Sequence, residues 1–314
     1  MTPKDSMNLD DILEGRIQLI NAALDFFLPS EEEYPQNINR AMRYSVFAGG
    51  KRIRPLLILL TAELFDFQQE KGLIPAAAIE MIHTYSLIHD DLPAMDDDDY
   101  RRGRLTSHKV FGGGLAILAG DALLTLAFEI LSREVWEAEG KGRFADPYLK
   151  SVPAETRLKI IYELSQAAGV GGMVGGQVID LESEGKSISP GEIDYINSHK
   201  TGALLVACFR MGALLGGGGE DDLKRLTASA SALGSAFQVV DDLLDLEGNE
   251  EKMGKSKGAD IKQKKATYLA LYGPEKAKQL RDENYEEARL LLDYYGAKAE
   301  VLQGLARFML YRDY

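Results

Sequence analysis

The sequence predicts an all-α chain: one large helical bundle around a central cavity, spanning residues 1–314 as a single domain. Three observations predict it. Apolar residues recur at helical spacing, and no strict apolar–polar alternation runs over several residues. Helix follows helix with Gly or Pro between, and no stretch reads as an interdomain linker. Two aspartate-rich segments, 89–102 and 237–245, each lie on an apolar helix, roughly half a chain apart. They read as two acidic walls facing one hollow.

Taken in order, residues 8–28 form an amphipathic helix with Leu9, Ile12, Leu13, Ile17, Ile20, Leu24 and Phe27 on one face. Pro29 and Ser30 close it, and Ser30 followed by Glu33 resembles a capping box for the next helix. Helix continues from Arg40 to Phe47 and stops at Gly49-Gly50. The segment Gly49-Gly50-Lys51-Arg52-Ile53-Arg54-Pro55 puts three cations within four residues, behind two glycines that allow close backbone approach. By itself it is a solvated basic turn. Placed before the apolar run 56–60, it also reads as a diphosphate clamp at the mouth of a buried helix.

His83 lies seven residues before Asp90, on the same helix face. A lone His on an apolar helix is first of all a satisfied core residue. His83, His89, His108 and His199 have no zinc-site spacing, and Cys208 has no second cysteine to join. Phe111-Gly112-Gly113-Gly114 opens a long apolar helix running to about Trp136, without the strand or GKS/T sequence of a nucleotide loop. The polar stretch 140–153 reads as a loop. In 171–180 each helical Gly costs about 0.8–1 kcal/mol against Ala, which a close-packed backbone near the cavity would rationalise. Lys200, beside an apolar run, either snorkels or faces an anion. Gly254–Asp260 is by default a solvated basic loop. Helices 274–295 and 297–311 look like scaffold, with charges at i,i+4 spacing.

Composition narrows the partners. A net charge of −13 disfavours nucleic acid and anionic membrane, so an anionic substrate must enter through local cations or metal. One cysteine permits no intrachain disulfide and is compatible with a reducing, cytoplasmic setting. Met1–Asp11 is polar and acidic, unlike a targeting peptide. The longest apolar run, 115–131, is interrupted by Asp121 and Glu129, so no membrane span is expected.

The acidic segments carry the chemistry. Six carboxylates fall within 90–99, and Arg101 and Arg102 follow at once. A run of Asp alone is usually a solvated loop. Here the acids end the apolar stretch 81–88, and clustered like charges need a counter-charge. Mg²⁺, which takes oxygen ligands and completes its shell with water and phosphate, suits them. The arginines suit the remaining phosphate oxygens. In the second segment Asp241 and Asp245 share a helix face, about 6 Å apart along the axis, with Gln238 and Asp242 in the same stripe. One DDxxD is a weak signal; two such helices are specific.

Stretches 83–112 and 237–260 resemble the two aspartate-rich motifs of the trans-prenyl diphosphate synthases, and the resemblance extends from Tyr44 to Asp313. It is strongest to the bacterial farnesyl diphosphate synthases, whose first motif has two extra residues before its last Asp, here Asp90, Asp91 and Asp96. The resemblance implies an isoprenoid synthase-like fold, a homodimer, and elongation of an allylic diphosphate by isopentenyl diphosphate. It assigns Mg²⁺ to Asp90, Asp91, Asp96, Asp241, Asp242 and Asp245. It places Lys51, Arg54, His83 and Arg102 on isopentenyl diphosphate. Arg101, Lys200, Thr201, Gln238 and Lys255 fall on the allylic diphosphate, with Gln177 and Asp180 in support. Asp90, Asp91, Asp96, Lys200, Asp241 and Lys255 would be catalytic. Tyr85, with Ser86, would form the pocket floor that stops growth at C15. The long helices 115–136 and 202–215 would supply the homodimer interface. A geranylgeranyl diphosphate synthase is the nearest competing reading. A terpene cyclase typically lacks the second DDxxD and the Lys51–Arg54 clamp. A non-catalytic partner subunit is opposed by unbroken motifs, and a calcium-binding protein by the missing DxDxDG loop.

Overall fold

A computed structural model gives the architecture and describes residues 9–133, 152–186, 188–247 and 268–311. Among them, helix dominates. In chain order the helices are α1 (Leu9–Phe27), α2 (Gln36–Val46), α3 (Ile53–Glu63), α4 (Leu73–Asp90), α5 (Ser107–Phe111) and α6 (Gly113–Ser132). They continue with α7 (Ala154–Ala168), α8 (Met173–Ser183), α9 (Pro190–Ile196), α10 (Ala203–Gly216), α11 (Glu220–Glu247), α12 (Tyr268–Leu292) and α13 (Glu300–Leu310).

The helices that are apolar on every side lie innermost. In α3 every residue from Pro55 to Ala62 is buried, and α3 packs on α10, where Leu204, Leu205, Phe209 and Met211 are buried too. This corrects the expectation for 202–215: α10 belongs to the core of its own subunit and has little apolar surface left for a second copy. Helix α4 packs against α6, and the 28-residue α11, some 42 Å long at 1.5 Å per residue, lies along α12. A smaller apolar cluster of Ile193, Val239, Leu243, Tyr268 and Ala277 joins α9, α11 and α12 beside the second acidic segment.

Several local expectations are revised. Ser30 and Glu33 do not cap α2: Ser30 O accepts from Glu33 N at 3.1 Å in a separate turn, and Pro35 is the uncapped N-cap residue. A complete capping box occurs instead at Ser189 and Glu192, opening α9. A short antiparallel hairpin pairs Tyr100–Arg101 (β1) with Arg104–Leu105 (β2), where no strand was expected. Gly273, at φ 74°, breaks the helix before Pro274. Helix α6 is long and apolar enough to cross a membrane by length and composition, despite Asp121 and Glu129. It packs along α4, and Ala116, Ala119, Leu123, Ala127 and Ile130 are buried there. The loop expected at 140–153 lies almost wholly outside the described residues.

Candidate active site

The basic segment 49–54 does not present three equivalent cations. Arg52 takes left-handed backbone (φ 51°) as the N-cap of α3 and turns inward, pairing Nη1 with Glu80 Oε1 at 2.7 Å. Lys51 and Arg54, on either side of it, are both only half-buried. Arg54 Nη1 donates to His83 Nε2 at 3.4 Å. Because a guanidinium only donates, that ring nitrogen is the acceptor and the imidazole is neutral. Consistent with this, burial lowers the His83 pKa well below its ordinary value, reinforced by Arg54, Arg102, Arg101 and Arg52. Burial also lowers the Arg54 pKa, opposed in part by the charges of Glu80 and Asp241. Arg54 thus bonds to helix α4, which ends in Asp90. Lys51 Nζ stands over the Phe308 ring of α13, 5.2 Å from its centroid.

Arg102 comes to this segment from the hairpin and donates to the carbonyl of Gly49. Gly50 makes that approach possible. Its φ is +124°, and a Cβ there would sit 2.6 Å from Arg102 Nη1. Among the described residues, four non-glycine residues have positive φ, and three of them, Arg52, Asp97 and Arg102, belong to these motifs. Backbone in that region costs of order 1–3 kcal/mol and persists where the surroundings enforce it.

The first acidic segment is a folded turn. Met95 N donates to Leu92 O at 2.8 Å, Asp97 N to Leu92 O at 3.1 Å, and Asp96 N to Asp90 O at 2.9 Å. These bonds bring Asp96 back beside Asp90 and Asp91. The hairpin then returns Arg101, whose Nε donates to Asp91 Oδ1 at 2.6 Å. The Asp91 side chain is only 5 % exposed. Burial pushes its pKa up to about 6, against the lowering effect of Arg101. A carboxylate so desolvated gains from a further cation, which fits Mg²⁺ at this point. Asp98 is reached by the same Arg101 at 3.5 Å, and Asp99 meets the exposed Lys109 at 2.6 Å. Among the described residues no three His, Cys, Asp or Glu side chains converge as a ready-made cage. Mg²⁺ is commonly held by one or two carboxylates together with substrate phosphates, so that spread is compatible with it.

Lys200 and Thr201 lie in a π-helical turn, Asn197–Gly202, between α9 and α10. Such turns recur at functional sites. A Cβ on Gly176 of α8 would sit 2.2 Å from Lys200 N, so the glycine-rich helix is what lets this turn pack so closely. Lys200 Nζ is held by Asp180 Oδ2 at 2.6 Å. Thr201 Oγ1 donates to Gln238 Oε1 at 3.3 Å, and Gln238 Nε2 donates to Asp242 Oδ1 at 3.2 Å. Asp242 Oδ2 accepts from Tyr268 N at 2.8 Å, and the residue is 5 % exposed. Asp242, expected with the metal ligands, therefore directs both oxygens to protein donors and ties α11 to α12. Both amide atoms of Gln177 are buried without a hydrogen-bond partner. The side chain of Asp245 and all of Lys255 lie outside the described residues.

Tyr85 is 7 % exposed, and its ring meets that of His89 edge-on, with centroids 5.7 Å apart. His89 Nε2 lies 3.1 Å from Ile117 O on α6, an acceptor, so that nitrogen carries the proton. Ser86 Oγ donates to His83 O at 2.9 Å, within its own helix.

Two groups escaped the sequence reading. Glu80 was visible as a lone acid inside the apolar run 76–82, which is the mark of a buried counter-ion. Asp194 had no such mark; it accepts from Tyr268 Oη at 2.7 Å across 74 residues.

Comparison with known proteins gives the family. A family model for polyprenyl synthetase matches residues 35–301. The chain is 46% identical over 273 residues, 87% of each protein, to the farnesyl diphosphate synthase of Geobacillus stearothermophilus. It is 44% identical over 309 residues, 98% of each, to the geranylgeranyl diphosphate synthase of Cyanophora paradoxa. Among solved structures, an FPP/GFPP synthase from Zymomonas mobilis superposes with a TM-score of 0.81 at 40% identity, over 96% of this chain and 99% of that one. A match over most of the length makes this chain a member of the polyprenyl synthetase family of chain-elongating trans-prenyltransferases.

Proposed function

We propose that the chain is a Mg²⁺-dependent farnesyl diphosphate synthase, which condenses isopentenyl diphosphate with dimethylallyl and then geranyl diphosphate to give (2E,6E)-farnesyl diphosphate. The observation that carries the C15 product is Tyr85, a buried aromatic five residues before Asp90 whose ring is braced by His89. A bulky floor there limits the depth available to the growing tail. The farnesyl diphosphate synthase of Geobacillus stearothermophilus supports the same reading, whereas the relative from Cyanophora paradoxa favours a C20 product.

In the reaction the allylic C–O bond breaks to an allylic cation and diphosphate. Arg101, Lys200 and Lys255 counter the charge that builds on the departing group. Thr201 and Gln238 orient it, and Gln177 faces the same region. Lys51, Arg54 and Arg102 grip isopentenyl diphosphate beside the neutral His83, so that its double bond meets the cation. The new C–C bond forms, a proton leaves, and released diphosphate accepts it. Asp90, Asp91, Asp96, Asp241 and Asp245 are the oxygen donors for Mg²⁺, with Asp242 holding their helix. Bound there, the metal supplies charge neutralisation for the leaving diphosphate. Apolar walls keep water from the cation.

A homodimer also fits. Ile117 and Leu118 on the apolar α6 are 45% and 54% exposed, and a second copy of α6 would cover them. The single, buried Cys208, its thiol pushed up to about 12 by burial, is compatible with a cytoplasmic enzyme.

The test is product analysis with isopentenyl diphosphate, geranyl diphosphate and Mg²⁺. C15 is expected from the wild type, and a substantial C20 fraction from Tyr85→Ala. A wild type that makes mainly C20 establishes the geranylgeranyl reading instead.

A further inference from the structure

We propose that Arg52 and Glu80 form a buried positioning pair that sets the geometry of the isopentenyl diphosphate clamp without touching the substrate. The inference rests on the assignment of Lys51 and Arg54 to that substrate.

Both members are nearly sealed from water: Arg52 is 4% and Glu80 2% exposed. The guanidinium is directed wholly into the protein. Nη1 donates to Glu80 Oε1 at 2.7 Å and to Gly49 O at 3.3 Å. Nη2 donates to Val46 O at 2.7 Å, and Nε to Asn21 Oδ1 at 2.9 Å. No face of the fork is turned to the cavity, so Arg52 does not act as a phosphate ligand.

These contacts define the clamp's shape. Val46 ends α2, Gly49 lies in the turn, and Arg52 O accepts the first bond of α3 from Leu56 N at 3.0 Å. One side chain therefore fixes both ends of the turn that carries Lys51. Glu80 lies on α4 three residues before His83, so the same ion pair sets the height of α3, and of Arg54, against His83 and Asp90. Gly49 O is shared with Arg102, so the pair also fixes where that second arginine docks. The strained φ of 51° at Arg52 accompanies the inward course of its side chain.

A purely stabilising pair and a positioning pair differ in one respect. Replacing a buried ion pair by apolar groups of similar volume often leaves stability unchanged or raised, but here it takes the Arg52 donor from the carbonyl of Val46 and leaves Gly49 O to Arg102 alone. The double variant Arg52→Met/Glu80→Leu separates the two. The expected result is a melting temperature close to the wild type's and a KM for isopentenyl diphosphate raised roughly tenfold or more, with the KM for geranyl diphosphate unchanged. An unaltered KM for isopentenyl diphosphate in a folded double variant overturns the inference. Should the double variant fail to fold, Asn21→Ala gives the same reading from α1: a KM for isopentenyl diphosphate raised about two- to threefold supports the inference, and no change overturns it. Lys51→Ala, measured alongside, tells the two failures apart. If it too leaves that KM unchanged, the clamp assignment is wrong and the inference falls with it.

Discussion

The two proposed diphosphate sites differ in how their cations are held. Around residues 49–54 the charge is assembled from Lys51, Arg52, Arg54 and Arg102 beside a neutral His83, with Arg52 turned inward to Glu80 as an anchor. At the π-helical turn, Lys200 is already neutralised by Asp180, and Thr201 is bonded to a relay ending on Tyr268 N. A site whose net positive charge is locked in place can receive an anion without rearrangement. A site whose lysine is paired must exchange one anion for another. The difference suits the two substrates: isopentenyl diphosphate keeps its diphosphate through the step, whereas the allylic partner must give its own up.

The largest test removes what both sites border. Asp90→Ala and Asp241→Ala are each expected to lower condensation by about 10³-fold, while circular dichroism and melting temperature stay near wild type. Retention of most of the turnover by either variant breaks the picture of opposed acidic walls. Next comes the locked site. Gly50→Ala places a Cβ against Arg102, and kcat/KM for isopentenyl diphosphate should fall by roughly 10²-fold. If the geranyl diphosphate KM moves instead, the two sites have been exchanged. Asp180→Asn then probes the paired site. Losing a charge-assisted bond to Lys200 should cost about tenfold in kcat, with the KM for isopentenyl diphosphate unaffected; a change confined to that KM would erase the distinction.

The smallest effect concerns stability. The folded His83 pKa is depressed, so the ring is neutral in the fold. The stability tied to that neutral form is complete above the unfolded ring's ordinary 6.5 and is lost as pH falls through the folded value. The expected loss is about 1.4 kcal/mol per pH unit per proton. Denaturant unfolding of the metal-free protein at pH 7 and pH 5.5 should show His83→Gln losing less stability than wild type. Equal losses would mean that the basic site is wetter than described.

Much of this was legible in the chain. Helical spacing along 8–28 marks α1 to within a residue, because one face of a short-period pattern must be buried. The acids at 90–96 and 241–245 and the cations at 51–54 were visible as charges too dense for an apolar setting. The errors have local causes. Ser30 and Glu33 have the spacing of a capping box, but Pro35 starts the helix later. The run 202–215 is as apolar as an interface and equally as apolar as a core; only packing against α3 separates them. Asp242 shares a helical stripe with Asp241, but Tyr268 arrives from the following helix to claim it.

The sequence by itself determined where the acidic and basic clusters fall and that helices carry them, since periodicity and charge density are properties of short segments. Which arginine is a buried anchor, and which aspartate spends its oxygens on protein donors, were decided only by the tertiary structure. Those roles depend on partners dozens of residues away, Glu80 for Arg52 and Tyr268 for Asp242, and no local pattern encodes a distant donor or acceptor.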